Sequence, residues 1–435
     1  MSGMKERLLR LLLALSLLLA VRPAAAQEPP AADPTDLVNT LLSGLLGFPD
    51  LTGRELQEEV AVVGGVPFRS DVPVDFMSRP DLARYLREVL DAEYPEAKAR
   101  IDQRTLVAFD LLSPETDLRA LRARVLLENI AGFYDERPGK KRLYAVSDDR
   151  RLSPSNQLIL SHELRHALQD QYVDLHSQLP DSVGDFDDRR LAWLSLLEGD
   201  ATLVMERFLL RRIPGGGEVD DLSGFTLPTP EIAGAPPVVR DQLVLPYLAG
   251  LDFARALWKR GGASALRQAW AHPPESSEQV LHPEKYFAHE SPRPVDVAYA
   301  PRGGRLVNEG VLGEVYLRTL LGEGEERGAE GWGGDAFRLF DVGGRTLLFG
   351  RSVWDSPEDM RHFLAAAERR FVKAHGTPEW RQGYAVYTSG PWRFALAPRA
   401  GGVQLVSSDD PLLLADALRS SPGEGSPEPG RAGAP

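Results

Sequence analysis

Ser161-His162-Glu163-Leu164-Arg165-His166-Ala167-Leu168-Gln169-Asp170-Gln171 contains the pattern H-E-x-x-H. On a helix, His162 and His166 stand one turn apart on one face, so both imidazoles can reach one metal ion. Glu163 lies beside them, where it can take a proton from a metal-held water. The flanking residues predict a helix. Ser153 is an N-cap residue followed by Pro154 at the first helical position, and Leu158, Ile159, Leu160, Leu164 and Leu168 carry the apolar pattern to about Tyr172. With eight histidines in the chain, the bare pattern arises by chance on the order of once per hundred such sequences. The apolar surroundings add weight, because buried paired histidines beside a glutamate need a partner and a metal ion is the simplest one. Two imidazoles and a carboxylate favour zinc, though a similar set can hold iron.

A catalytic zinc takes three protein ligands and a water. A metzincin would place a glycine at 169 and a histidine at 172, where this chain has Gln169 and Tyr172. His176 is one candidate for the third ligand, in the loop after the helix. Glu198 is the better one. It lies in Leu194-Ser195-Leu196-Leu197-Glu198-Gly199-Asp200-Ala201, where two carboxylates interrupt an apolar helix. Buried charge is costly unless paired or metal-bound. Gly199 costs about 1 kcal/mol in a helix interior, which close packing against the metal-binding helix would explain. Asp200 and Asp170 are both candidates to hold a ligand histidine's second N–H.

Outward from this core, Pro80-Asp81 opens a helical pattern, and Leu118, Leu121, Val125 and Ile130 mark another. Gly132–Asp135 and Arg142–Val146 flank Pro138-Gly139 and predict a hairpin. That hairpin either offers an edge to an extended peptide or merely covers the core. A helix is expected over about 187–211, a long Gly- and Pro-rich loop over 212–238, and helices over about 240–260 and 263–271, parted by Gly261-Gly262. Strands are expected at 337–340, 345–354, 383–389 and 392–397, with a helix at 357–373. The fold class is therefore α+β: a mainly helical catalytic domain with a small sheet, then a small C-terminal α+β domain. The expected divisions are a signal peptide (1–26), an N-terminal helical region (27–112), the catalytic domain (113–300), the C-terminal domain (301–419) and a disordered tail (420–435).

The pattern His162-Glu163-x-x-His166 with a downstream helical glutamate resembles the gluzincin zinc metallopeptidases. The gap of 31 residues before Glu198 is appreciably longer than in thermolysin. The chain also resembles a group of poorly characterised bacterial exported metallopeptidases, through Ala131–Asp135, His162–Gln171, Glu198–Ala201, Glu278–Tyr286 and Gly331–Asp335. The resemblance implies a zincin-like catalytic domain, with His162, His166 and Glu198 as zinc ligands and Glu163 as general base. A further donor would stabilise the oxyanion. His282 and Tyr286 are candidates, because they lie in a polar, proline-punctuated segment. The implied partner is a peptide or protein substrate. The rival readings are a zinc hydrolase of a non-protein amide, such as a cell-wall linkage, and a catalytically silent metal-binding protein. Glu163 argues against the last, since a structural zinc needs no base.

Composition narrows the classes. The 435 residues are 26% charged and 43% hydrophobic, ordinary for a globular chain. With no cysteine, disulfides, thiolate metal sites and cysteine nucleophiles are excluded. A net charge of -13 argues against broad nucleic-acid binding. Lys5, Arg7 and Arg10 precede the apolar run Leu11–Val21, and Ala24-Ala25-Ala26 follow. This predicts a cleavable signal peptide cut after Ala26 and a secreted or periplasmic protein, with no integral membrane segment once it is removed. The run is too short for the roughly 20 residues that span a bilayer. His272, His289, His362 and His375 have no metal-ligand spacing, and Trp332 in Gly331–Asp335 is read as structural. There is no phosphate-binding glycine loop and no G-x-S-x-G elbow.

Overall fold

The computed structural model describes residues 48–49, 51–130, 132–147, 152–177, 186–212, 230–399 and 401–420. The expected signal peptide, the C-terminal tail beyond Ser420 and most of the 212–238 loop lie outside them. The protein is mixed α+β and divides into two compact units. One gathers the described residues of Met1–Ala99, Asp117–Val183 and Arg189–Glu290. The other gathers those of Arg100–Thr116, Gly184–Asp188 and Ser291–Pro435.

In chain order the first unit is built from α1 (Gly53–Gly64), β1 (Val74–Met77) and α2 (Arg79–Glu93). The helix α3 (Glu96–Ala108) leads out of it. The unit resumes with α4 (Leu118–Asn129), β2 (Gly132–Asp135), β3 (Arg142–Val146), α5 (Pro154–Val173), α6 (Asp188–Leu210), α7 (Pro237–Ala271), α8 (Ser277–Leu281) and α9 (Pro283–Phe287). The predicted hairpin is present, and β3 also pairs in parallel with β1, so the sheet order is β1-β3-β2 and β2 is an edge.

Helix α5 carries the H-E-x-x-H pattern. Ser153 caps it, its hydroxyl accepting from the Asn156 N–H, and Pro154 begins it. Every residue from Gln157 to Asp170 is buried. The helix has a core on both sides. Leu158, Leu160 and Leu164 pack with Leu56, Val60, Tyr134, Val204 and Phe208, while Leu168 packs with Leu196, Phe253, Leu257 and Trp270. A helix enclosed in this way must satisfy its polar side chains within the protein. Helix α7 runs through the glycine pair, but Gly261 and Gly262 leave helical geometry and kink it (Gly262 φ 59°). No helix among the described residues is long and apolar enough to cross a membrane.

The second unit is a seven-stranded antiparallel sheet with helices. Its elements are β4 (Arg305–Gly310), α10 (Gly313–Leu321), β5 (Trp332–Val342), β6 (Arg345–Trp354), α11 (Pro357–His375), β7 (Glu379–Arg381), β8 (Tyr384–Ser389), β9 (Trp392–Arg399), β10 (Gly402–Ser408) and α12 (Pro411–Ser420). The strand order is β4-β5-β6-β10-β9-β8-β7. Residues 100–116 are part of this unit. Arg104 reaches Asp341 (2.7 Å) and Thr346 (2.6 Å), Phe109 packs edge-on to Phe337, and Asp110 pairs with Arg370 and His375. Trp332 is structural, as read: it is fully buried and its indole N–H donates to Asp335 (2.8 Å). Asp335 in turn accepts from the Leu312 and Gly313 N–H groups at the start of α10.

Candidate metal centre

The side chains of His162, His166 and Glu198 meet inside the first unit. The two Nε2 atoms are 3.1 Å apart, and Glu198 Oε2 lies 3.1 Å from that of His162 and 3.4 Å from that of His166. Four donors set tetrahedrally about a zinc ion at roughly 2.0–2.1 Å would be about 3.3 Å apart. The triangle is thus of the size that a small divalent cation such as zinc would take. Each of the three residues is at most 1% exposed. Glu198 Oε1, Glu163 Oε1 and His162 Nδ1 have no hydrogen-bond partner, which is costly for buried polar atoms. Donor chemistry, spacing and unpaired atoms all fit a bound divalent cation.

The electrostatics follow from burial. Burial lowers the His162 pKa. It acts the same way on His166, but the Glu198 carboxylate outweighs it and the net shift is upward. Burial pushes Glu198 up, yet the two imidazoles beside it hold it below the usual carboxylate range. Glu163 is raised well above that range, first by burial and then by Glu198. Its Oε2 accepts from the Tyr134 N–H (3.1 Å) at the sheet edge.

Helix α6 delivers Glu198 through a glycine contact. A Cβ on Gly199 would stand 1.9 Å from the Gly250 carbonyl oxygen, and one on Gly250 would stand 2.2 Å from that of Ser195. The expected close approach at Gly199 is therefore real, but the partner is α7 and not the metal-binding helix. The partner of His166 Nδ1 also differs from both candidates. It is Gln169 Oε1 (2.9 Å), while Asp200 sits one step behind, bonded to Gln169 Nε2 (2.8 Å). Asp170 instead accepts from the Tyr134 hydroxyl (2.7 Å), the Leu175 N–H and Lys141.

His282 and Tyr286 are engaged elsewhere. The Tyr286 hydroxyl donates to the His272 carbonyl (2.8 Å) and its ring packs edge-on to Phe253, because this segment lies on an apolar cluster. His282 joins α8 to α9, with its ring 3.9 Å from the exposed Glu284 carboxylate. His176 follows the end of α5 and is not among the three converging donors. The tyrosine at the centre is Tyr247 of α7. Its ring stacks on His162 (centroids 6.0 Å, 22°), and its buried hydroxyl lies close to the Glu198 carboxylate without completing a well-formed hydrogen bond. Burial, followed by Glu198 and Glu163, raises its pKa well above the usual value. Sequence reasoning passed over Tyr247 because it follows Pro246 within an apolar helix and has no spacing relation to the motif. Gln169 was nearer to hand, since it lies three residues after His166 on the same helix face.

A family model described as a domain of unknown function (DUF8575) matches residues 302–421. These residues belong to the second unit and include none of the metal-centre side chains. No curated protein and no solved structure matches the chain.

Proposed function

We propose that this protein is an exported zinc-dependent peptidase of gluzincin type, with His162, His166 and Glu198 as ligands. The observation that carries the reading is the zinc-sized triangle of buried donors with the half-satisfied Glu163 carboxyl next in sequence. When bound, the ion would lower the pKa of a water toward about 7 and polarise the scissile carbonyl. Glu163 takes the proton of the attacking water at Oε1 and passes it to the leaving amine, while the Tyr134 N–H holds Oε2 in place. Tyr247 supplies the donor for the developing oxyanion in place of His282 and Tyr286, since its hydroxyl is buried beside Glu198 with no well-formed hydrogen bond of its own. Strand β2 is an edge but is buried along its length, and its Tyr134 N–H is given to Glu163, so the hairpin covers the core and leaves the substrate to be set by the metal chemistry. Export rests on the leader at 1–26, and intact mass of the secreted protein checks the cut after Ala26.

The test is Glu163→Gln. Zinc content should stay unchanged while hydrolysis of a peptide library falls about 10²–10⁴-fold. Undiminished hydrolysis would remove Glu163 from its role.

A further inference from the structure

We infer that Gln169, held by Asp200, fixes which nitrogen of His166 faces the metal; the inference rests on His166 being a ligand. An amide has two chemically different ends, an NH₂ that donates and an oxygen that accepts. Gln169 Nε2 lies 3.1 Å from the Leu197 carbonyl oxygen and 2.8 Å from Asp200 Oδ2. The carbonyl can only accept. Asp200 is an acceptor too, because it also receives Arg165 Nε (2.9 Å), Arg165 Nη2 (2.9 Å) and Trp270 Nε1 (3.0 Å). Turning the amide over would set its oxygen against both and lose two buried hydrogen bonds. Gln169 Oε1 is therefore pinned toward His166 Nδ1, 2.9 Å away. An oxygen accepts, so Nδ1 carries the hydrogen. In the neutral ring, Nε2 is then left with its lone pair, and Nε2 is the atom that faces His162 and Glu198.

Arg165, Gln169, Asp200 and Trp270 are each at most 1% exposed, so the whole relay is sealed in the core. The Arg165 guanidinium also lies over the Trp270 ring, 4.8 Å from its centroid. His162 has no matching device, since its Nδ1 has no hydrogen-bond partner. The two histidines are thus unequal: His166 is oriented before the ion arrives, and His162 is not. Gln169 is a positioning residue, acting only through His166. Its choice of amide over carboxylate matters, because an amide cannot draw the Nδ1 hydrogen away and the ligand stays a neutral imidazole.

The experiment uses the full chain labelled with ¹⁵N-histidine, metal-free, as wild type and Gln169→Met. His166 is assigned by the signal lost in His166→Asn. At a pH where the ring is neutral, wild-type His166 should carry its hydrogen on Nδ1 and none on Nε2; in Gln169→Met that preference should disappear. Zinc affinity, measured by competition with a chromogenic chelator, should fall about 10–100-fold in the variant. A bare Nδ1 in the wild type overturns the inference, as does a folded variant whose affinity stays within about twofold of wild type. If Gln169→Met does not fold, the wild-type spectrum still decides. A wild type with hydrogen on Nδ1 but no zinc binding would sink the metal reading and leave the relay standing.

Discussion

Tyr247 presents a buried hydroxyl with no well-formed hydrogen bond beside the His162 ring, and such a group is seldom kept without a use. Tyr247→Phe should leave zinc content intact and lower hydrolysis about 10²–10³-fold, as removal of an oxyanion donor does. Stability should change little, because the lost hydroxyl makes no well-formed hydrogen bond. Hydrolysis at the wild-type rate in a zinc-loaded variant would contradict the assignment. At this scale sequence reading reached as far as helical spacing reaches. His162, Glu163 and His166 are neighbours on one helix, so four residues of sequence define them. Glu198 was legible because a carboxylate in an apolar helix asks for a reason. Tyr247 was not legible, since only the crossing of α7 over the site gives it meaning. Tyr286 shows that a polar, proline-punctuated segment can still lie against a core.

Helices α6 and α7 touch through bare backbone at Gly199 and Gly250. Gly199→Ala forces a methyl group to within 1.9 Å of a carbonyl oxygen, so the helices must separate. We expect a loss of at least about 2 kcal/mol in urea unfolding, together with weaker zinc binding because Glu198 is the preceding residue. An unchanged midpoint would show that the contact yields cheaply. The need for close packing was readable in Gly199, but its partner was not, since spacing along a chain does not say which helix will cross it. In the sheet, β6, β8 and β9 were read from their aromatic and aliphatic runs. Strands β4 and β7 were missed for lack of an apolar face: β7 is exposed throughout, and β4 has no fully buried residue. Strand β10 ends in Ser407-Ser408 beside Asp409-Asp410, which reads as a loop. In the structure both serines are fully buried, bonding to the Ala108 and Thr346 carbonyls.

Over the whole molecule, each unit has a buried acid that sets a pH dependence. Burial, with Asp135, Glu93 and Asp170 nearby, pushes Glu136 up from 4.5 to about 8. Burial likewise lifts Asp335 to about 6 against three N–H donors. For Glu136 the unfolded chain gives up the proton near pH 4.5 and the folded one near pH 8. Between these values the folded state binds more protons, so its stability falls as pH rises. The unfolding free energy from urea titrations should fall from pH 5 to pH 8 by the order of a few kcal/mol, and Glu136→Gln should reduce that slope, the rest staying with Glu163 and Asp335. Equal slopes in both proteins would rule out Glu136 as the source. The sequence could not reveal this, because a glutamate two residues after a tyrosine carries no mark of its burial. The second unit also depends on residues 100–116, through Arg104, Phe109 and Asp110. Residues 302–421 alone, the extent of the matched family model, should therefore melt less cooperatively than the whole chain and bind a hydrophobic dye. A sharp, dye-free transition would show the segment to be dispensable.

Elemental analysis of the purified protein beside Glu198→Ala decides whether His162, His166 and Glu198 hold one zinc ion. About one zinc per wild-type chain is expected, with most of it lost in the variant. Full zinc in Glu198→Ala would contradict the assignment of Glu198, and no zinc in either protein after the metal is added back would contradict the metal centre itself.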